Sequence, residues 1–353
     1  MSVTGTATMR GYVKRSTRPG DAGVTSLAVP VPDAGQVVLR VDGCGICGSD
    51  LHALRSDPGY EMMRPPVVLG HELTGTVTAT GDGAGPWRPG DRAVAVSIQG
   101  CGTCPRCQAG RSQLCADRRI LGIHHDGGLA AYVRVAARHL VAVPPEVEPL
   151  DAALTEPLSV AVHAVLERTT VRPGARVVVT GPGTIGLLCG QLARASGGDV
   201  LVLGAGADAA RRLPLARELG LAAADLSRHT PAEAIRARFG GHAPDVWLEA
   251  AGAPPAFDAA VAETAPGGHI TVIAQYAKRV EMFVPDLLRR EITLAFSYAA
   301  NPAAYTTALT LLAAGTVTAR PLITAFPLGR APEAFTAAAH ADIVKAVIVP
   351  APS

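Results

Sequence analysis

Apolar positions recur along this chain in two rhythms, and the change between them falls near residue 158. Before it, short aliphatic runs are broken by Gly and Pro, and residues 37–41, 74–79, 93–97 and 130–135 read as strands. Pro89-Gly90-Asp91 and Asp126-Gly127-Gly128 read as turns. The pattern predicts an irregular β-rich domain. After it, β-branched strands at 176–180, 200–203, 222–224, 245–248, 269–273 and 293–296 alternate with helical stretches at 185–196, 211–219 and 254–264. That alternation predicts a parallel sheet covered on both faces. A helix at about 302–314 and a strand at about 343–349 complete the chain, with no internal repeat.

Composition sets limits on this outline. The 353 residues leave room for two domains. Hydrophobic residues at 48% and charged residues at 18% predict a folded chain, and aromatics at 4% leave the core to Ala, Val and Leu. A net charge of +2 excludes a basic field for nucleic-acid capture, and no basic amphipathic helix points to a membrane surface. Lysine occurs three times, at 14, 278 and 345, so the positive charge is almost all Arg, which reads as compositional bias. Met1 to Arg10 holds no apolar leader segment, and no run approaches the ~18 apolar residues of a membrane span. A cytoplasmic setting is expected, where thiols stay reduced, so the seven cysteines call for an explanation other than disulfides.

Three constellations carry chemistry. Cys101-Gly-Thr-Cys104-Pro-Arg-Cys107, with Cys115 after seven intervening residues, offers four thiolates in one lobe of about 97–118. Four soft ligands at short spacing fit a structural zinc with a closed shell. Next, Gly181-Pro182-Gly183-Thr184-Ile185-Gly186 follows a strand and opens a helix, the context in which such glycines bring backbone and helix N-terminus to a dinucleotide pyrophosphate. About twenty residues on, the acidic residue that would bind ribose hydroxyls is missing: Gly204-Ala205-Gly206 stands there, and the nearest carboxylate is Asp208. Its absence at Ala205 tilts the reading from NAD toward NADP, with Arg211 or Arg212 as phosphate partners, unless both are ordinary solvated residues of a first helical turn. The third set is scattered: Cys47, Ser49, Asp50 and His52; then His71-Glu72; then Glu156. Thiolate, imidazole and carboxylate together suit a zinc that keeps an open position, and Ser49 with His52 offers a route for a proton.

With these motifs in place, the chain resembles the zinc-dependent medium-chain dehydrogenases of the alcohol dehydrogenase superfamily, in the sorbitol/polyol and threonine dehydrogenase branch. The resemblance rests on Gly-Ile-Cys-Gly-Ser-Asp-Leu-His (45–52), Gly-His-Glu (70–72), Pro-Gly-Asp-Arg (89–92), the four-cysteine lobe, Asp-Gly-Gly-Leu-Ala-Ala-Tyr-Val (126–133), Glu-Pro-Leu-Ser-Val-Ala-Val-His (156–163) and Gly-Pro-Gly-Thr-Ile-Gly-Leu-Leu (181–188). It implies an α/β fold: a GroES-like β-rich catalytic domain (1–157, completed by 299–353) and a Rossmann domain with a doubly wound parallel sheet (158–298), the cofactor lying in the cleft between them.

What the resemblance implies for residues is specific. Cys47 and His71 look like the catalytic zinc ligands, with Glu156 or Glu72 as the carboxylate that completes the set. Asp50 looks like the partner that orients the ligand histidine, and Ser49 and His52 resemble the proton relay. Cys44 and Cys189 are expected to be packed thiols, and His124 and His125 to be solvated or to border the pocket. Gly48 stands where some relatives carry a basic residue, and Ala131 where many carry Glu. The implied enzyme binds two zinc ions per chain and NAD(P), and oxidises a secondary alcohol of a polyol, cyclitol or aminocyclitol to the ketone, reversibly. A small butanediol-type diol or a threonine-type amino alcohol is the alternative substrate. A zinc-free quinone or enoyl reductase, or a non-catalytic zinc protein, is disfavoured by the Cys47, His71 and four-cysteine set. A homodimer or homotetramer, joined through the Rossmann sheet edge, is the implied assembly.

Overall fold

The computed structural model describes residues 7–350; residues 1–6, which begin the segment read as lacking a leader, lie outside the described residues. The chain forms two compact units, one of residues up to 156 with 301–313 and 322 onward, the other of 157–300 with 314–321. Among the described residues no helix is long and apolar enough to cross a membrane.

The first unit is β-rich. Its organising strand, Gln36–Gly45, is buried almost throughout because it lies between two partners, Glu72–Thr80 and Tyr132–Ala136. Such continuous burial is what a central strand needs and an edge strand does not. The last strand, Lys345–Val349, joins the same sheet antiparallel to it, with Val347 opposite Gly45 and Ile348 opposite Cys44. The far end of the sequence is thereby brought beside Cys44–Cys47. One expected turn is absent: Asp126-Gly127-Gly128 runs beside 68–70, and the amides of Gly127 and Gly128 donate to the Val68 and Gly70 carbonyls. A Cβ on Gly127 would lie 2.0 Å from the Gly70 oxygen, so the glycine serves close approach rather than a reversal.

The second unit holds a six-stranded parallel sheet in the order Ala222–Asp225, Asp199–Gly204, Arg176–Thr180, Val246–Glu249, His269–Val272, Thr293–Phe296. The order reverses between Arg176–Thr180 and Val246–Glu249, the switch point where such sheets bind ligands at their carboxyl ends. All six strands lie within a residue or two of their sequence-read positions. The helices Gly48–Arg55, Pro231–Phe239 and Ala331–Ala339 were not read from sequence.

The resemblance implies that 299–353 belongs whole to the first domain, whereas 299–300 and 314–321 group with the parallel-sheet unit. The side chain of Gln191, in the helix Thr184–Ala195, explains the latter: its amide accepts from the Thr318 backbone N–H at 2.8 Å and donates to the Thr318 carbonyl at 3.3 Å.

Candidate metal centres and dinucleotide site

Cys47 is the N-cap of the Gly48–Arg55 helix, and Asp50 caps it by accepting from the Cys47 N–H at 2.9 Å. The other Asp50 oxygen accepts from the Gly70 N–H at 3.3 Å and lies 3.5 Å from His71 Nδ1. One fully buried carboxylate therefore ties together two segments 20 residues apart and faces the imidazole that each metal-bound histidine needs oriented. Ser49 Oγ lies 3.3 Å from the opposite ring nitrogen, Nε2. Burial pushes the His71 imidazole toward neutrality, but Asp50 and Cys47 outweigh it and hold its pKa well above the usual value.

Glu72 sits across from Gly45 in the strand register. Its side chain folds over that residue so closely that a Cβ there would be 2.0 Å from Glu72 Oε2. Ligand atoms of Cys47, His71 and Glu72 all lie within 4.8 Å of one another. This donor set fits zinc: a thiolate, an imidazole and a carboxylate, with two of the three residues buried. Both Glu72 oxygens also accept from Lys345 Nζ at 2.7 Å, and Lys345 donates in addition to the Ile46 carbonyl at 2.9 Å.

Glu156, at the start of the helix Thr155–Val162, lies outside that 4.8 Å cluster. Its Oε1 accepts from Ser97 Oγ at 2.9 Å, and Tyr305 Oη donates to Ser97 Oγ at 3.0 Å. Burial, with the Glu72 charge adding to it and His71 opposing it, pushes the Glu156 carboxyl up to about 7. A cation beside it would relieve that penalty. His52 is not brought to Ser49 by any close contact: its Nδ1 pairs with Asp57 at 2.7 Å, and its ring stacks on Tyr60.

In the lobe, Cys101, Cys104, Cys107 and Cys115 converge from one short segment, all four sulfurs within 4.8 Å of one another. Cys101 and Cys107 are 4.0 Å apart and Cys104 and Cys115 3.8 Å, close to the ~3.8 Å edge of a tetrahedron of zinc–sulfur bonds. Disulfides need ~2.05 Å, and all seven cysteines are free. The Thr103 hydroxyl and neighbouring backbone amides pull the Cys101 thiol down to about 6, so it is ready as a thiolate. Cys44 and Cys189 are buried thiols. His124 Nδ1 accepts from the Ile120 N–H at 3.1 Å, an ordinary loop contact.

In the second unit, Gly181 turns with φ +86 directly after the Arg176–Thr180 strand, where no side chain is tolerated: a Cβ would lie 2.7 Å from Ala251 Cα. Gly186 packs against the Gly181 carbonyl in the same way, so that a Cβ on it would lie 1.9 Å from that oxygen. Gly183 is different. As N-cap of the 12-residue helix Thr184–Ala195 it offers no side-chain cap, and a Cβ on it would meet nothing within 4 Å. That open cradle at a helix N-terminus, flanked by Pro182, Thr184 and Ile185, fits a pyrophosphate.

Beyond Gly204, Asp208 Oδ2 accepts from the Ala205 N–H at 3.3 Å and its Oδ1 from Arg212 at 3.2 Å. Of the two arginines singled out from sequence, Arg212 is thus committed to Asp208, and Arg211 is exposed. Sequence reasoning missed Lys345, Ser97 and Tyr305, and named Asp208 only as the nearest carboxylate, without its hold on Arg212. Only Lys345 carried a signal: in a chain of arginines, two of the three lysines, Lys14 and Lys345, are the buried ones. A compact ammonium fits there where a planar guanidinium does not.

A doubly wound parallel sheet with a glycine cradle, joined in one chain to a β-rich unit bearing a mixed metal centre and a four-thiolate lobe, defines a zinc-dependent dehydrogenase. Residues 33–145 match the family model described as alcohol dehydrogenase GroES-like domain, and 184–314 that described as zinc-binding dehydrogenase. The chain is 32% identical to a sorbitol dehydrogenase of Halalkalibacterium halodurans over 97% of its own length and 99% of the relative's. It is 33% identical to an L-threonine 3-dehydrogenase of Saccharopolyspora erythraea, covering 94% of this chain and 96% of that one. A crystal structure of a zinc-binding dehydrogenase from Sinorhizobium meliloti bound to NADP superposes with a TM-score of 0.90 at 32% identity, covering 98% of this chain and all of that one. The chain belongs to the zinc-dependent medium-chain alcohol dehydrogenase superfamily. It is an NAD(P)-linked dehydrogenase of alcohols.

Proposed function

We propose that this enzyme interconverts a secondary alcohol of a polyol, cyclitol or aminocyclitol and the corresponding ketone. The observation that carries the reading is the Cys47–His71–Glu72 cluster, held by Asp50 and bordered by a second carboxylate, Glu156. When bound there, zinc supplies Lewis acidity and NADP the hydride acceptor. Cys47 and His71 would hold the metal with Glu72 or Glu156, and Cys101, Cys104, Cys107 and Cys115 would hold a second, structural ion.

Ser49 Oγ, beside His71, would accept the proton of the substrate hydroxyl while passing its own on toward His52, which it does not touch directly. His52 lies three residues on along the same helix, on the same face, with its ring held by Asp57 at Nδ1. Its side chain is 35% exposed, so it can return the proton to solvent. Gly181–Gly186 would hold the cofactor pyrophosphate, and exposed Arg211 would be the cation available to a 2′-phosphate. The threonine dehydrogenase relatives favour one second reading, an amino alcohol of the threonine type.

We place the enzyme in the cytoplasm, where its free thiols persist. We assemble it as a homodimer or homotetramer through the edge strand Thr293–Phe296, where Phe296 is 63% exposed and nearby Leu288 70%.

The test is a screen of sugar alcohols, cyclitols, aminocyclitols, 2,3-butanediol and threonine with NAD and NADP, alongside zinc quantification. Turnover of a polyol or cyclitol with about two zinc ions per chain supports the reading. Turnover of threonine or butanediol alone replaces the substrate class. Ala205→Asp is expected to move the ratio of kcat/KM for NADP over NAD toward NAD by about tenfold, and an unchanged ratio removes the NADP assignment.

A further inference from the structure

At the switch point of the parallel sheet, the turn after Arg176–Thr180 forms one wall of the crevice and the turn after Val246–Glu249 the other. Glu249, the last residue of its strand, is fully buried, yet among the described residues its carboxylate is hydrogen-bonded to two backbone amides and a phenol rather than to a Lys, Arg or His. Its Oε1 accepts from the Ala251 N–H at 2.8 Å and the Gly252 N–H at 3.0 Å, and its Oε2 from Tyr276 Oη at 2.6 Å. Its own carbonyl accepts from Ile273 and Ala274 in the next loop of the sheet. Burial and the Glu249 charge raise the Tyr276 pKa, so the phenol keeps its proton and remains a donor.

The clamped turn is packed on both sides. Gly181 lies against Ala251, and Gly252 lies so near the Gln275 carbonyl that a Cβ there would be 2.5 Å from it. Three loops are thus stacked at the carboxyl ends of three strands, with Glu249 hydrogen-bonded to the middle and the outer one. The adenosine end of a dinucleotide belongs over the Asp199–Gly204 side, where the ribose-reading position lies. The other half then lies over the Glu249 side.

We propose that Glu249 is a positioning residue: with Tyr276 as its partner, it pins the 250–252 turn against the glycine cradle and so sets the affinity for the nicotinamide half of the cofactor. The inference rests on the dinucleotide reading of this unit. A loose turn has to be ordered each time the cofactor binds, and that ordering is subtracted from affinity.

Binding of NADH, NADPH and 5′-AMP to the zinc-loaded full-length protein, followed by fluorescence and calorimetry well below the melting temperature, tests it. In Glu249→Ala the Kd of the reduced dinucleotide should rise about tenfold, while that of 5′-AMP stays within about twofold. Glu249→Gln keeps an acceptor oxygen for both amides and should restore affinity to within about threefold. Tyr276→Phe, which removes one of three donors, should raise the Kd about threefold, and it decides the matter if Glu249→Ala does not fold. Parent-like dinucleotide affinity in these variants overturns the proposal, as does an equal loss for 5′-AMP, which marks a purely structural role. A parent protein that binds neither dinucleotide overturns the cofactor reading and this inference with it.

Discussion

The four-cysteine lobe and the Cys47–His71 centre fit the same element but are built in opposite ways. The lobe draws its ligands from one short segment, and its nearest helpers are local: the Thr103 hydroxyl and the amide of Cys104. The mixed centre draws on a helix N-cap, a strand start and a second helix, and it is held by Asp50 and by Lys345 from the far end of the chain. The first has a closed set of four thiolates. The second carries a buried ion pair and three buried carboxylates, Asp50, Glu72 and Glu156, of which only Glu72 lies inside the ligand cluster. A centre meant for stability can be written locally, whereas one that must keep a coordination position open is assembled from the whole fold.

The most damaging break in that contrast is loss of a mixed-centre ligand. Cys47→Ala or His71→Ala should lower kcat/KM by at least about a thousandfold, since Lewis-acid stabilisation is worth several kcal/mol, with circular dichroism unchanged. Activity near the parent level would remove the centre from the chemistry. Next in size, Lys345→Met leaves a carboxylate buried and unpaired and should destabilise the protein by about 3–5 kcal/mol in denaturant titration. Adding Glu72→Gln should recover much of that loss, and no recovery would mean that the pair does not carry it.

Cys104→Ser opens the closed thiolate shell. A cost of about 2–3 kcal/mol, seen as a fall of roughly 5–10 °C in Tm, is expected, with turnover per folded molecule preserved. A variant as stable as the parent would make the lobe something other than structural.

The smallest effect sets the background for any acid loss of metal. His139 is held down to about 4 by burial, with the charges of Arg138 and His125 adding to it. As pH falls below the ordinary histidine value of about 6.5 the unfolded chain takes up the proton first, so stability is full above that value and declines toward pH 4. Tm measured on metal-free protein should fall across this window, and His139→Asn should flatten the slope; an unaltered slope assigns it to other groups.

How far each centre could be read from sequence follows the same division. The lobe, the glycine cradle and the six parallel strands are local patterns, so spacing and periodicity reach them directly. The pairing of Val347 with Gly45, by contrast, joins residues about 300 positions apart, and nothing in the neighbourhood of Lys345 says that it will face Glu72. Ser97, Tyr305 and Glu249 were invisible for a like reason, since a Ser, a Tyr or a Glu in an ordinary run acquires its role from partners far away in the chain or from burial. The 126–128 segment misled because Gly-rich stretches serve close backbone approach as readily as they serve turns.

The polypeptide passes between its two units at four places, after residues 156, 300, 313 and 321. An exchange of the nucleotide-binding half between two such enzymes therefore cannot be made as a single cassette. A graft of 157–300 alone would strip Gln191 of Thr318 and seat a foreign helix against a backbone segment it had never met. Chimaeras that carry 314–321 along with their parent helix should assemble, and the eight-residue passenger is the piece a designer would be most inclined to leave behind.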